Sequence, residues 1–160
     1  MQPTDLHIRS CQRVDGMTKH DAIICDIDGT LAIVDNTSTK IHMKELEAHA
    51  SFEVNKPIKK IVNAFYNSLD EQVILVSGRH EKYREYTEEW LIKNNISYDA
   101  LYMRKDDDNR KDFMVKEEIY NNEIKGKWRN IIFVIDDRDS VVRMWRSLGL
   151  TTLQCKDGDY

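Results

Sequence analysis

The chain has 160 residues, 41% hydrophobic and 32% charged, which is enough apolar material for one compact core and too much for a disordered chain. No apolar run nears the ~18 residues of a membrane span, no signal-peptide core opens the chain, and three scattered cysteines (Cys11, Cys25, Cys155) without CxxC spacing point to a reducing cytoplasm. Net charge is −4, with 9 basic against 11 acidic residues in the first half and 15 against 17 in the second; a chain that grips nucleic acid along a broad phosphate footprint is usually basic, so any such contact is expected at an end or a single phosphate.

Residues 1–20 show no clear period and form a lead segment that suits an edge strand, an arm or a disordered tail. The first expected strand is Ala22–Ile27, a β-branched apolar run that ends in Asp26-Ile27-Asp28-Gly29-Thr30. Residues 35–55 carry no decisive period. Within them His42, Glu45 and His49 have helical spacing, but the order is not HExxH and an exposed amphipathic turn accounts for it.

Asn55 and Pro57 mark a helix start, followed by the stripe Ile58, Ile61, Val62, Phe65 and Leu69. A strand over Val73–Ser77 runs into Gly78-Arg79. A second stripe, Tyr83, Thr87, Trp90 and Leu91, closes at Asn94-Asn95. Tyr98–Met103 reads as a strand, then the charged loop Arg104–Asp112, then a helix holding Lys116, Val115 and Ile119 that ends before Gly126. Ile131–Ile135 is a strand leading into Asp136-Asp137. Val141, Val142, Trp145 and Leu148 form the last stripe, with Gly149 just past its end, and Thr151–Gln154 is a short final strand.

Alternating strands and helices predict one α/β domain over 1–160: a Rossmann-like three-layer sandwich around a mostly parallel sheet, with no internal linker. Ligands of such sheets bind at the carboxyl ends of the strands. Those ends carry Asp26, Asp28, Ser77, Arg79, Asp136 and Asp137, and Lys116 joins them from the helix after the charged loop. Four ionised carboxylates cannot share a small cleft without a cation. An all-oxygen set without Cys or His partners suits Mg²⁺ better than zinc. With Arg79, Lys116 and a serine hydroxyl added, the site reads as one that holds a phosphate against a metal. Each piece taken alone is ordinary loop or capping chemistry; their joint placement at successive strand ends is not.

The motifs DIDGT, SGR, a following Lys and DD after a hydrophobic strand resemble the haloacid dehalogenase superfamily. The blocks SGRHEKYREYTEEWL, LYMRKDDDNRKDFMVKEEIY and VIDDRDSVVRMWRSLGLTTLQCKDGDY resemble, more narrowly, the 3′-phosphatase domain of phage-type polynucleotide kinase/phosphatases, from about Ala22 to Tyr160. The resemblance implies a nucleophile at Asp26 and a general acid/base at Asp28, whose backbone carbonyl would face Mg²⁺. It implies phosphate binding by Ser77, Gly78 and Arg79, with Thr30 nearby, and the Asp-x-x-x-Lys pair Asp112 and Lys116. Asp136 and Asp137 would complete the metal site with Asp26 and Asp28.

The chain departs from the family pattern in one place: Leu31–Thr39 has no basic residue, and Lys40 is the first after the nucleophile. The 37–55 segment is too short for a large cap domain, which suits a polymeric substrate. Arg104 and Arg110 in the charged loop are the candidate contacts to the nucleic-acid strand. Trp128 and Trp145 read as packing residues, and Cys25 as an inert buried thiol. No GxxxxGK[ST] occurs, so no kinase activity is expected. The implied partners are 3′-phosphorylated DNA or RNA ends, no membrane, and a separate 5′-kinase or ligase. A phosphatase for nucleotides or sugar phosphates remains the alternative. A phosphate-binding relative without catalysis is disfavoured by intact Asp26 and Asp28.

Overall fold

The elements, in chain order, are β1 (Asp21–Cys25), β2 (Ala32–Ile33), β3 (Glu53–Val54), α1 (Lys56–Tyr66), β4 (Glu71–His80), α2 (Arg84–Lys93), β5 (Ala100–Arg104), α3 (Asp112–Ile119), β6 (Asn130–Asp136), α4 (Asp139–Ser147) and β7 (Thr152–Gln154). This is a computed structural model that describes residues 19–34 and 52–158. Residues 1–18 of the lead segment 1–20, the segment 35–51 with His42, Glu45 and His49, and residues 159–160 lie outside the described residues.

Five strands form one parallel sheet in the order β5-β4-β1-β6-β7, while β2 and β3 pair antiparallel beside it. Successive side chains of a strand point to opposite faces. Ile23 and Cys25 of β1 therefore pack with Ile58 and Val62 of α1 and Trp90 and Leu91 of α2. Ala22 and Ile24 pack with Tyr120 and Ile124, which follow α3, and with Val141, Met144 and Trp145 of α4. Helices thus cover both faces, as the apolar, β-branched strands require. The connections move outward from β1 to β4 and β5, then return to β6 on the other side of β1. That reversal opens the ligand crevice at the carboxyl ends of β1 and β6.

Helix boundaries follow local chemistry with a few differences from the sequence pattern. Asn55 occupies the N-cap position of α1, but its side chain makes no capping bond; Pro57 in the first turn needs no backbone donor. Leu69 lies beyond the end of α1 and is 75% exposed, and Tyr66 fills the buried position instead. After α3 the chain makes one wide π-helical turn, Tyr120–Ile124, closed by Lys125 N–H donating to Tyr120 O at 2.8 Å. Gly149 follows α4 with φ +81°, the left-handed stop expected there.

Candidate active site

The carboxyl ends of β1 and β6 bring three buried carboxylates together. Asp26, Asp136 and Asp137 each offer an oxygen within 4.8 Å of the other two. The ladder sets this placement: Cys25 pairs with Ile135, and Asp26 N–H donates to Ile135 O at 3.0 Å. Beyond Asp26 the chain turns tightly, with Ala32 N–H bonded to Ile27 O at 2.8 Å and Gly29 N–H to Ala32 O at 2.9 Å. Gly29 has φ +88°, and a Cβ there would fall 2.1 Å from Asp137 Oδ2. Only glycine allows that carboxylate to lie against the turn.

Lys116 supplies the counter-charge. It is 1% exposed, and its ammonium lies 2.7 Å from Asp26 Oδ1, 2.9 Å from Asp136 Oδ2 and 3.5 Å from Asp112 Oδ2. A buried lysine would ordinarily lose its proton. Here burial pulls the ammonium down, but the charges of Asp112, Asp136 and Asp26 outweigh it and hold Lys116 well above the usual lysine range. Burial pushes the Asp26 carboxyl well up, against the pull of Lys116, and Asp136 and Asp137 add to the rise. Both directions have one cause: a desolvated cluster with more acids than bases favours bound protons. It equally favours a bound cation, and hard carboxylate oxygens fit Mg²⁺.

Both carboxylate oxygens of Asp136 are held by hydrogen bonds. Its Oδ1 accepts the N–H groups of Asp137 at 3.0 Å and Arg138 at 3.3 Å; its Oδ2 accepts Lys116 and the Trp145 indole N–H at 3.3 Å. Trp145 is therefore more than the packing residue its stripe suggests. Asp136 orients Lys116 and the β6–α4 turn, and Asp137 and Asp26 face the crevice beside it. Thr30 sits close by, its hydroxyl 3.4 Å from Asp137 Oδ1.

The side chain of Asp28 stands apart from this cluster. Arg79 grips it through two hydrogen bonds, Nε to Oδ2 at 2.8 Å and Nη2 to Oδ1 at 2.6 Å. Arg79 is itself fixed by donating to Thr87 Oγ1 at 3.1 Å and lies 6.0 Å from the Phe52 ring centroid. Ser77 Oγ accepts the Arg79 N–H at 3.1 Å and shapes the strand end. The Asp28 side chain is not among the three carboxylates that cluster, Asp26, Asp136 and Asp137.

Gly78 and Asp112 meet at close quarters: a Cβ on Gly78 would lie 2.3 Å from Asp112 Oδ1. Burial pushes the Asp112 carboxyl up, but the nearby Lys116, Arg138 and Arg104 charges win and hold it below the usual range. Arg104, a candidate contact to the nucleic-acid strand, belongs to the same cluster. It is 8% exposed and donates to Gly78 O (2.8 Å), Asp108 O (3.1 Å), Arg110 O (2.6 Å) and Asp112 Oδ1 (3.1 Å). It laces the loop 105–111 to the phosphate motif rather than facing solvent. Arg110 is half-exposed on the far side of that loop, with its guanidinium shared between Asp108 (2.6 Å) and Glu118 (2.7 Å).

Residues after β7 also reach the site. Gln154 Nε2 donates to Asp137 O at 2.9 Å, and Cys155 N–H to Asp136 O at 3.1 Å. Cys155 Sγ lies 3.7 Å from Thr30 Oγ1, and Lys156 Nζ lies 3.8 Å from Asp137 Oδ2. The block that ends in TTLQCKDGDY carries these residues, but no role was read from it, because a short strand shows no chemical signature of its own.

Residues 20–160 match the family described as the polynucleotide kinase PNKP phosphatase domain. The chain belongs to this family. As a haloacid dehalogenase-type phosphatase it is a phosphomonoester hydrolase. It is 35% identical over 140 residues to a putative bifunctional polynucleotide kinase/RNA ligase of Autographa californica nuclear polyhedrosis virus, covering 85% of this chain and 20% of the viral protein. A chain in the structure of the Pnkp1/Rnl/Hen1 RNA repair complex superposes with a TM-score of 0.80 at 37% identity, covering 89% of this phosphatase and 44% of that chain. A second structure of that complex gives 0.79 and 36%, with coverages of 90% and 48%. The phosphatase thus spans less than half of each of these relatives. The HAD domain of effector protein Lem4 from Legionella pneumophila, at 13% identity and TM-score 0.53 over 89% of this chain and 88% of that one, shares the fold. No helix among the described residues is long and apolar enough to cross a membrane.

Proposed function

We propose that this phosphatase removes 3′-phosphates from nucleic-acid ends, with Mg²⁺ as cofactor and an aspartyl-phosphate intermediate on Asp26. The observation that carries the reading is the pairing of Asp26 Oδ1 with a fully buried Lys116, which leaves Oδ2 to attack phosphorus. Lys116 neutralises charge on the nucleophile and on the incoming phosphoryl group, and the rigid turn around Gly29 positions both. A Mg²⁺ ion held by Asp26, Asp136, Asp137 and the Asp28 carbonyl would offset the charge of the phosphate oxygens.

Arg79 has two competing anions, Asp28 and the substrate phosphate. As the phosphate enters, Arg79 turns its guanidinium to the phosphate oxygens and releases Asp28. The Asp28 carboxyl is the group that gives a proton to the departing sugar oxygen. The resulting carboxylate then activates the water that hydrolyses the phosphoenzyme.

The relatives point to end repair, in which a kinase and a ligase act on the same termini. The phosphatase unit would work beside such activities, on RNA or DNA ends, in a reducing cytoplasm that suits the free Cys25 and Cys155. The deciding experiment compares a 3′-phosphorylated oligonucleotide, a 5′-phosphorylated one and a nucleoside 3′-monophosphate, each with Mg²⁺ and with EDTA. The 3′-phosphorylated oligonucleotide should turn over fastest, EDTA should stop it, and Asp26→Asn should lose several orders of magnitude. Faster turnover of the mononucleotide would identify a small-substrate phosphatase, and full activity in EDTA would remove the metal.

A further inference from the structure

We propose that Thr87 is a positioning residue, the buried anchor about which Arg79 swings from Asp28 to the substrate phosphate. This rests on the reading of Arg79 as the phosphate-binding arginine and holds whatever molecule carries the phosphate. The guanidinium meets its partners on separate sides. Nε and Nη2 form one edge, occupied by the Asp28 carboxylate at 2.8 and 2.6 Å, and a phosphate offers a similar pair of oxygens to such an edge. Nη1 lies off that edge and donates to Thr87 Oγ1 at 3.1 Å. The two acceptors differ in freedom. The Asp28 side chain is 35% exposed, so a phosphate can reach its place, whereas Thr87 is wholly buried in α2.

The direction of the Thr87 hydroxyl is fixed by its partners. A hydroxyl has one proton, and a guanidinium only donates. That proton therefore goes to the Tyr83 carbonyl, one helical turn back at 2.9 Å, and the oxygen's lone pairs face Arg79. A bond of this kind to the preceding turn slightly weakens a helix, so it brings α2 no stability that a valine would lack. What valine could not do is accept from Arg79. The same helix secures the arginine a second time. Trp90, three residues beyond Thr87, donates its indole N–H to Phe52 O at 2.9 Å, and the Phe52 ring centroid lies 6.0 Å from the Arg79 guanidinium carbon. The Arg79 side chain is 1% exposed, so an Nη1 that lost its acceptor could not turn to water. A guanidinium tied at Nη1 can exchange Asp28 for phosphate by a small rotation and meet it in one geometry. An untied one would spread over several, and binding would have to restore the order.

The test compares Thr87→Val, which keeps the shape and removes the acceptor, with Thr87→Ser, which keeps the hydroxyl. Each is made in the full chain, alone and combined with Arg79→Met, and thermal melts establish folding. If the valine variant does not fold, Thr87→Ala takes its place, since it also removes the hydroxyl and suits a helix. Inhibition by inorganic phosphate and kcat/KM on p-nitrophenyl phosphate are measured in Mg²⁺. Thr87→Val should weaken phosphate inhibition and lower kcat/KM, each about tenfold, as loss of a hydrogen bond to a charged group does, and Thr87→Ser should recover most of both. With Arg79→Met in place, Thr87→Val should cost less than about twofold more, because the contact through which it acts is gone. Unchanged values in Thr87→Val, or the same loss in both backgrounds, would overturn the proposal and leave the role of Arg79 intact. Wild-type phosphate inhibition in Arg79→Met alone would instead sink the reading of Arg79 as the phosphate ligand, and the proposal with it.

Discussion

Asp26 and Asp28 are two residues apart and face different cations, Lys116 and Arg79, which fits the separate roles proposed for them. A nucleoside 3′-oxygen is a poor leaving group, so a proton donated in the transition state should be worth roughly 10²–10⁴-fold. An aryl phosphate leaves as a stable phenolate and needs that proton much less. Asp28→Asn should therefore slow phosphoenzyme formation from a 3′-phosphorylated oligonucleotide far more than from p-nitrophenyl phosphate, and with the aryl ester it should give a burst as phosphoenzyme accumulates. Equal slowing of single-turnover phosphoenzyme formation on both substrates would show that Asp28 is not the acid. These aspartates, Arg79 and Lys116 were legible in the sequence because their chemistry tolerates few other residue types and each stands at a strand end or in a spaced motif. Trp145 and Thr87 were not, because an indole or a threonine in an apolar stripe has the pattern of a packing residue. Their polar ends acquire meaning only beside Asp136 and Arg79. The carbonyls that Arg104 holds were not legible either, since a basic residue at the start of a charged loop carries no sequence sign of its burial.

At the scale of elements, the three central strands and the four described helices follow directly from period and residue type. The β2–β3 pair did not, since two-residue strands carry no period, and β4 runs to His80 because its last residues pair with β5 across a register shift rather than in an apolar run. That extended end of β4 is where strand and helix lock together. Asp112, the first residue of α3, packs its carboxylate on Gly78, and Arg104 and Lys116 hold it there. A side chain at 78 would have to displace a carboxylate anchored from two sides. Gly78→Ala should cost about 1–3 kcal/mol of stability, as overpacking does. It should also lower kcat by more than the melting temperature alone would suggest, because Lys116 lies one helical turn from Asp112. Thermal melts and steady-state kinetics on the purified variant check both halves; wild-type values for each would mean that Asp112 yields freely and does not couple β4 to α3.

For the molecule as a whole, the sheet order concentrates acid at one crevice, and the fold pays for it electrostatically. A carboxyl whose folded pKa lies above its unfolded value, about 3.9 for aspartate, contributes stability that is full below 3.9 and is lost as pH rises through the folded value. Asp26 is such a group, with burial the main cause. Asp112 has the opposite sign: its contribution is present above its unfolded value and is lost only as pH falls through its lowered one. As pH rises above the unfolded aspartate value, Asp112 stays constant while the Asp26 cluster, its pKa raised, grows more anionic and more strained. The cluster then has more to gain from a divalent cation, which must also displace its remaining proton. Magnesium should therefore raise the melting temperature, and by more at pH 8 than at pH 5.5. The comparison is made with and without Mg²⁺ at fixed ionic strength, alongside Asp137→Asn, in which the gain should shrink at both pH values. An equal or larger magnesium effect at pH 5.5 would mean that the cation binds elsewhere, or that Asp26 is already fully ionised there, and the electrostatic account of the crevice would fail.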